Sequence, residues 1–213
     1  MSEKRLGKVS LATAAAAGLA VESEAAEDRA AADLIAKIRD KDDKVRAEAR
    51  DNAGKVGAPA VGPLAAVMTD EDFEVARAAK RGLWKIVRHV GRPGADGERK
   101  EVVARLIPLL RDGQPVAVRR EVMWMLSEIA GDEVVAPVAA LLSDKELRED
   151  ARMVLERLPG RRSLAALRRA LRTVPQAFKI NVAQSLRARG VTVRGFPCQK
   201  LVPTRKTDVK PVG

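Results

Sequence analysis

Residues 118–142 read VRREVMWMLSEIAGDEVVAPVAALL, two apolar runs separated by Gly131 and Asp132. From Val118 the apolar residues Val122, Leu126 and Ile129 follow at offsets of four, eight and eleven, which lays a single stripe along an α-helix. The same offsets recur at Val45, Ala49, Ala53 and Val56, at Val75, Ala79, Leu83 and Ile86, and at Leu147, Ala151, Leu155 and Leu158. A fifth set, Phe178, Val182 and Leu186, ends on Arg189 where the pattern asks for an apolar residue. A shorter pattern, two apolar residues four apart, precedes every stripe: Leu34 and Ile38, Leu64 and Met68, Leu106 and Leu110, Val138 and Leu142, Leu167 and Leu171.

The stripes begin at residues 45, 75, 118, 147 and 178, separated by 30, 43, 29 and 31 residues. A period of this size means small units that shield their apolar faces only by stacking. The one long interval holds VGRPGADGERK, residues 90–100, which reads as a glycine-rich loop inserted between two helices. Asp42, Asp72 and Asp144 stand three residues before a stripe, where a carboxylate accepts from the free N–H groups of a helix start. Gly57, Gly131, Gly160 and Gly190 close the same helices, and a left-handed backbone is expected at each.

The recurring D-x-x-V-R-x-x-A-x-x-x-L-x-x-I-G pattern, as in DDKVRAEARDNAGKVG and modified in KELREDARMVLERLPG, resembles the short bacterial HEAT-like repeats also called PBS-lyase repeats. The resemblance implies an all-α fold, a right-handed α-solenoid of about five HEAT-like helical hairpins. In each hairpin the first, striped helix would be convex and the second would line a concave groove. The chain then divides into an alanine-rich or signal-peptide-like segment (1–28), the repeats (29–190) and a basic, flexible tail (191–213).

Composition agrees with helices and argues against chemistry. Apolar residues make up 46% of the chain and aromatic ones 2%, with no tyrosine, so the core must be aliphatic. The single cysteine, Cys198, and single histidine, His89, exclude an internal disulfide and a thiolate or imidazole metal site. No phosphate-binding glycine loop and no H-E-x-x-H motif occurs, and Ser127 has no partner base in its helix, so a non-enzymatic chain without cofactor is expected. His89, beside the glycine-rich insertion, reads as an exposed loop residue, and Cys198 as an incidental thiol. Trp84 and Trp124 lie on striped helices and read as packing between neighbouring repeats.

The net charge of +11 is unevenly placed. Residues 1–145 hold 24 cations and 24 acids, whereas residues 146–213 hold 16 cations and five acids. The densest basic stretch is LPGRRSLAALRRALRT, in which Leu164, Leu167 and Leu171 face the core and Arg168 and Arg172 share an exposed face with Arg169 beside them. Arg161, Arg162, Arg168, Arg169 and Arg172 are therefore the candidate partner-binding residues, with Arg88, Arg92, Arg99 and Lys100 around the insertion as a secondary patch. Arginine without nearby acids suits an anionic partner.

The expected function is a monomeric scaffold that binds an acidic protein through its groove. The alternative is a nucleic-acid binder related to the HEAT-like alkylpurine DNA glycosylases, weakened by the lack of aromatic residues for base stacking. A phycobilin lyase-like subunit, a third possibility, finds no identifiable bilin-binding residue. Residues 4–21, KRLGKVSLATAAAAGLAV, place cations before small and apolar residues, with Ser23 and Ala25 as a candidate cleavage pattern. They read either as a signal peptide, which would export the chain, or as a first helix pairing with AADLIAKI in a cytoplasmic protein. The run is too short and too weakly apolar to span a membrane.

Overall fold

The computed structural model describes residues 6–197, with side chains from residue 22 onward. They form α1 (Leu6–Ile38), α2 (Asp43–Val56), α3 (Val61–Val67), α4 (Phe73–Val90), α5 (Asp96–Leu106), α6 (Val116–Ile129), α7 (Val135–Ala140), α8 (Arg148–Arg157), α9 (Arg161–Thr173) and α10 (Gln176–Ala188). Four short 3-10 segments join them, and no strand occurs among the described residues. The five stripes fall on α2, α4, α6, α8 and α10. The shorter pattern falls on the helices before them, with 3-10 turns at Ile107–Leu110 and Leu141–Ser143 completing α5 and α7.

The striped helices pack against one another in chain order, and so do α1, α3, α5, α7 and α9, which gives two layers joined face to face. Every stripe residue is buried except Val45 and Val56, half-buried on α2, whose only neighbour in its own layer is α4. The apolar core is one cluster running from Ala31 to Leu186, and Phe178 is its sole fully buried aromatic. The fold is the expected all-helical stack, held by aliphatic side chains that only neighbouring hairpins cover.

Local signals explain where the helices begin and end. Asp42 Oδ1 accepts from the Lys44 N–H at 2.7 Å, and Asp72 Oδ1 from those of Glu74 and Val75 at 2.8 and 3.3 Å. Asp144 Oδ1 accepts from Glu146 and Leu147 N–H groups at 2.8 and 3.2 Å, but caps a turn that only leads into α8 at Arg148. Gly57, Gly160 and Gly190 take positive φ, as expected. Gly131 does not: its φ is −118°, and its N–H donates to Glu133 Oε1 at 2.9 Å. A carboxylate two residues on thus replaces the backbone reversal at the α6 terminus.

Three expectations about loops and ends are revised. The insertion at 90–100 is mostly helix: α4 continues to Val90, α5 starts at Asp96, and only residues 91–95 connect them. The extra residues lengthen the hairpin, with α4 at 18 residues against 14 for α2 and α6. Asp96 and Glu98 in the first turn of α5 favour helix there. Residues 191–197 are docked rather than loose, because Arg187 donates to the carbonyls of Val193 and Phe196 while Val191 and Val193 pack against the core. The rest of the basic tail, including Cys198, lies outside the described residues. Residues 6–21 do not form a separate helix folding back on AADLIAKI, since both belong to α1, which also runs unbroken through the expected boundary at residue 28.

Two glycines give opposite expectations. Gly57 holds φ +74°, so Gly57→Ala should cost about 1–3 kcal/mol. Gly62 lies inside α3 with open space where an alanine methyl group would stand, so Gly62→Ala should stabilise by about 0.5–1 kcal/mol. Urea unfolding midpoints check both.

Candidate partner-binding surface

Several acids bridge neighbouring striped helices. Lys85 Nζ lies 3.1 Å from Asp51, linking α4 to α2. Glu121 on α6 accepts from Trp84 Nε1 at 2.6 Å and pairs with Lys80 at 2.9 Å, linking α4 to α6. Arg120 pairs with Asp150 at 2.9 Å and Arg157 with Glu128 at 2.5 Å, linking α6 to α8, and the Arg157 guanidinium sits 5.9 Å from the Trp124 ring centroid. Arg152 donates to Ser185 at 2.6 Å, and Asn181 donates to Glu149, linking α8 to α10. Both tryptophans thus occupy joints between repeats, as the sequence suggested. Pairs this exposed are individually weak.

Helix α9, in the other layer, is different. Ser163, Ala166, Leu167 and Ala170 are buried, Leu164 and Leu171 are half-buried, and Arg161, Arg162, Arg168, Arg169 and Arg172 are exposed. Arg162 lies 3.6 Å from Asp132, a loose pair between two exposed groups. The other four have no ion pair among the described residues. Between α7 and α9 lies a depression of about 660 Å³ with Ala136, Ala139, Ala140, Ala166 and Ala170 along it and Arg169 on its wall. Of the five predicted arginines, Arg169 alone lines this trough.

The residues that hold the start of α9 escape the stripe pattern. Ser163 is fully buried and donates to the Leu158 carbonyl at 2.8 Å. Arg189 donates through Nη1 to the carbonyls of Leu155 and Leu158 at 3.0 and 2.8 Å and to Ser163 Oγ at 3.2 Å, and through Nη2 to the Gly160 carbonyl at 3.0 Å. The apolar residue missing from the fifth stripe is thus a guanidinium that satisfies the open carbonyls where α8 ends. Its only sequence signal was its failure to match the pattern.

Residues 64–156, from α3 through nearly all of α8, match the family model for HEAT repeats. This part of the chain is built of HEAT-like repeats. HEAT repeats are helical scaffolds for protein interaction, and the α9 arginines lie just beyond the matched residues. A search of curated proteins found no match to the chain.

Elsewhere the HEAT stack offers less. Of the secondary patch, Arg92 pairs with Glu98 at 2.6 Å, Arg99 pairs with Asp96, and Arg88 lies 5.8 Å from the Trp84 ring centroid. Lys100 alone among the four is without an ion pair or ring contact within the described residues. Arg92 also holds the Glu98 carboxyl below its usual range. His89 is not on a loop: it lies in the last turn of α4, half-buried, with Nε2 3.7 Å from Glu98 Oε2. Arg119 is a buried cation that sequence reasoning missed, donating to the Leu110 carbonyl at 3.1 Å and to Asp112 at 3.0 Å. No group of three metal-ligating side chains occurs among the described residues, and no described helix is long and apolar enough to cross a membrane.

Two outcomes follow for stability. Arg189→Lys keeps the charge but loses the planar fork, and should cost about 1.5–3 kcal/mol with faster amide exchange at residues 158–163. Hydrogen bonds from Arg50 and Lys85 lower the Asp51 carboxyl from 3.8 to about 2. A depressed carboxyl stabilises above its unfolded value and loses that contribution as pH falls toward 2, so acid titrations of wild type and Asp51→Asn should diverge only slightly, and only at and above that window.

Proposed function

We propose that this HEAT-like protein is a non-enzymatic scaffold that receives an acidic partner protein on the α9 side of its second-helix layer. The observation that carries the reading is charge placement on one helix: α9 carries five exposed arginines and no acid, and Arg161, Arg168, Arg169 and Arg172 have no ion pair among the described residues. Guanidinium groups in this state recognise carboxylates with geometry as well as charge. The trough beside them supplies apolar area that a purely electrostatic contact does not need.

A nucleic-acid partner shares the need for cations but also draws on aromatic stacking. Trp84 is engaged by Glu121 and Arg88, and Trp124 by Arg157, both on the layer away from α9. This favours the protein partner.

The test is fluorescence anisotropy at physiological salt with a labelled oligoglutamate peptide and a short DNA duplex. The double variant Arg168→Glu/Arg172→Glu should keep its helical circular dichroism, because both positions are exposed, and should bind the peptide at least about tenfold more weakly than wild type. Wild type should leave the duplex unbound. Equal peptide binding by both proteins would overturn the proposal, as would duplex binding tighter than peptide binding.

A further inference from the structure

We infer that the trough between α7 and α9 seats an aliphatic side chain of the acidic partner, so that the recognised element is a hydrophobic residue flanked by carboxylates rather than negative charge alone. This rests on the reading of α9 as the receiving face and names what that face selects.

The trough is built by small residues on two neighbouring helices. Ala136, Ala139 and Ala140 come from α7, and Ala166 and Ala170 from α9, with Leu142 and Val174 buried at its edges. Alanine at these positions lowers the surface between the helices and leaves apolar atoms facing solvent, since Ala136 and Ala140 are exposed and Ala139 is half-buried. The depression, about 660 Å³, falls within the roughly 300–1,000 Å³ typical of ligand-binding clefts. No carboxylate lines it. Water held against such a floor finds few hydrogen-bonding partners, so an aliphatic group replaces it favourably.

The charges beside the trough fix what must flank that group. Arg169 is part of the wall, and Arg168 and Arg172 lie further round the outer face of the same helix, outside the trough. Four residues of α-helix rise about 6 Å, close to the spacing of alternate residues in an extended chain. One aliphatic side chain lying in the trough therefore leaves a neighbouring carboxylate within reach of Arg169, and a segment continuing over α9 brings further carboxylates to Arg168 and Arg172. A nucleic-acid backbone offers phosphates to the arginines but nothing aliphatic to the alanine floor. Apolar floor and cationic edge together fit an acidic protein segment better than they fit DNA or RNA.

The experiment compares two labelled glutamate-rich peptides that differ only in a central leucine or serine, titrated into the full chain by fluorescence anisotropy, with a DNA duplex as third probe. The leucine peptide should bind at least about tenfold more tightly than the serine peptide. Ala140→Gln, at an exposed position, should remove that advantage while leaving the serine peptide unchanged, and Arg169→Glu should weaken both. Equal affinities for the two peptides that remain sensitive to Arg168→Glu/Arg172→Glu would overturn the seat and leave the scaffold proposal standing. Absence of binding by either peptide would overturn both. A leucine preference that survives Ala140→Gln, or a duplex bound more tightly than either peptide, would also overturn the seat.

Discussion

Everything in this molecule depends on apolar stripes too narrow to be buried by their own hairpin. A striped helix of ten to eighteen residues covers part of its face against the helix beside it in sequence, and the remainder only against the next repeat. With a single fully buried aromatic among the described residues, no set of large side chains anchors the interior. Stability is shared among many aliphatic contacts, each small and each with an immediate neighbour. Such a stack has ends. The partial exposure of Val45 and Val56 on α2 is the visible effect of having a same-layer neighbour on one side only.

The same repetition organises charge. Neighbouring striped helices present complementary polar and charged groups to each other at every joint, from Lys85 and Asp51 at one end to Asn181 and Glu149 at the other. These contacts align successive repeats. On α9 the buried face is alanine, serine and leucine and the outer face is arginine. Five exposed arginines on a helix without a single acid are what make the α9 surface a candidate for recognition.

Much of this was legible from spacing alone. The two alternating classes of helix, the aspartate caps and the packing role of both tryptophans follow from residues at fixed offsets, because helical periodicity and capping are local. What escaped was mostly non-local or depended on side-chain reach. Gly131 looked like a positive-φ terminus, yet Glu133 supplies the N–H acceptor that makes a reversal unnecessary. Residues 96–100 looked like loop because Gly94 and Gly97 punctuate the stretch, yet first-turn acids extend the helix. Arg189 looked like a defect in the fifth stripe, and only the fold reveals the carbonyls it collects from α8. The candidate arginines were readable as a charged face, whereas the alanine trough required α7 and α9 to be side by side.

The positions of the two tryptophans carry one more consequence. Trp84 meets Glu121 across the α4–α6 joint and Trp124 lies near Arg157 across the α6–α8 joint, so they bracket a single helix from its two sides. Tyrosine is absent from the chain. Ultraviolet emission from this protein is therefore a native optical gauge of whether α6 is gripped by both of its neighbours, with no label to attach.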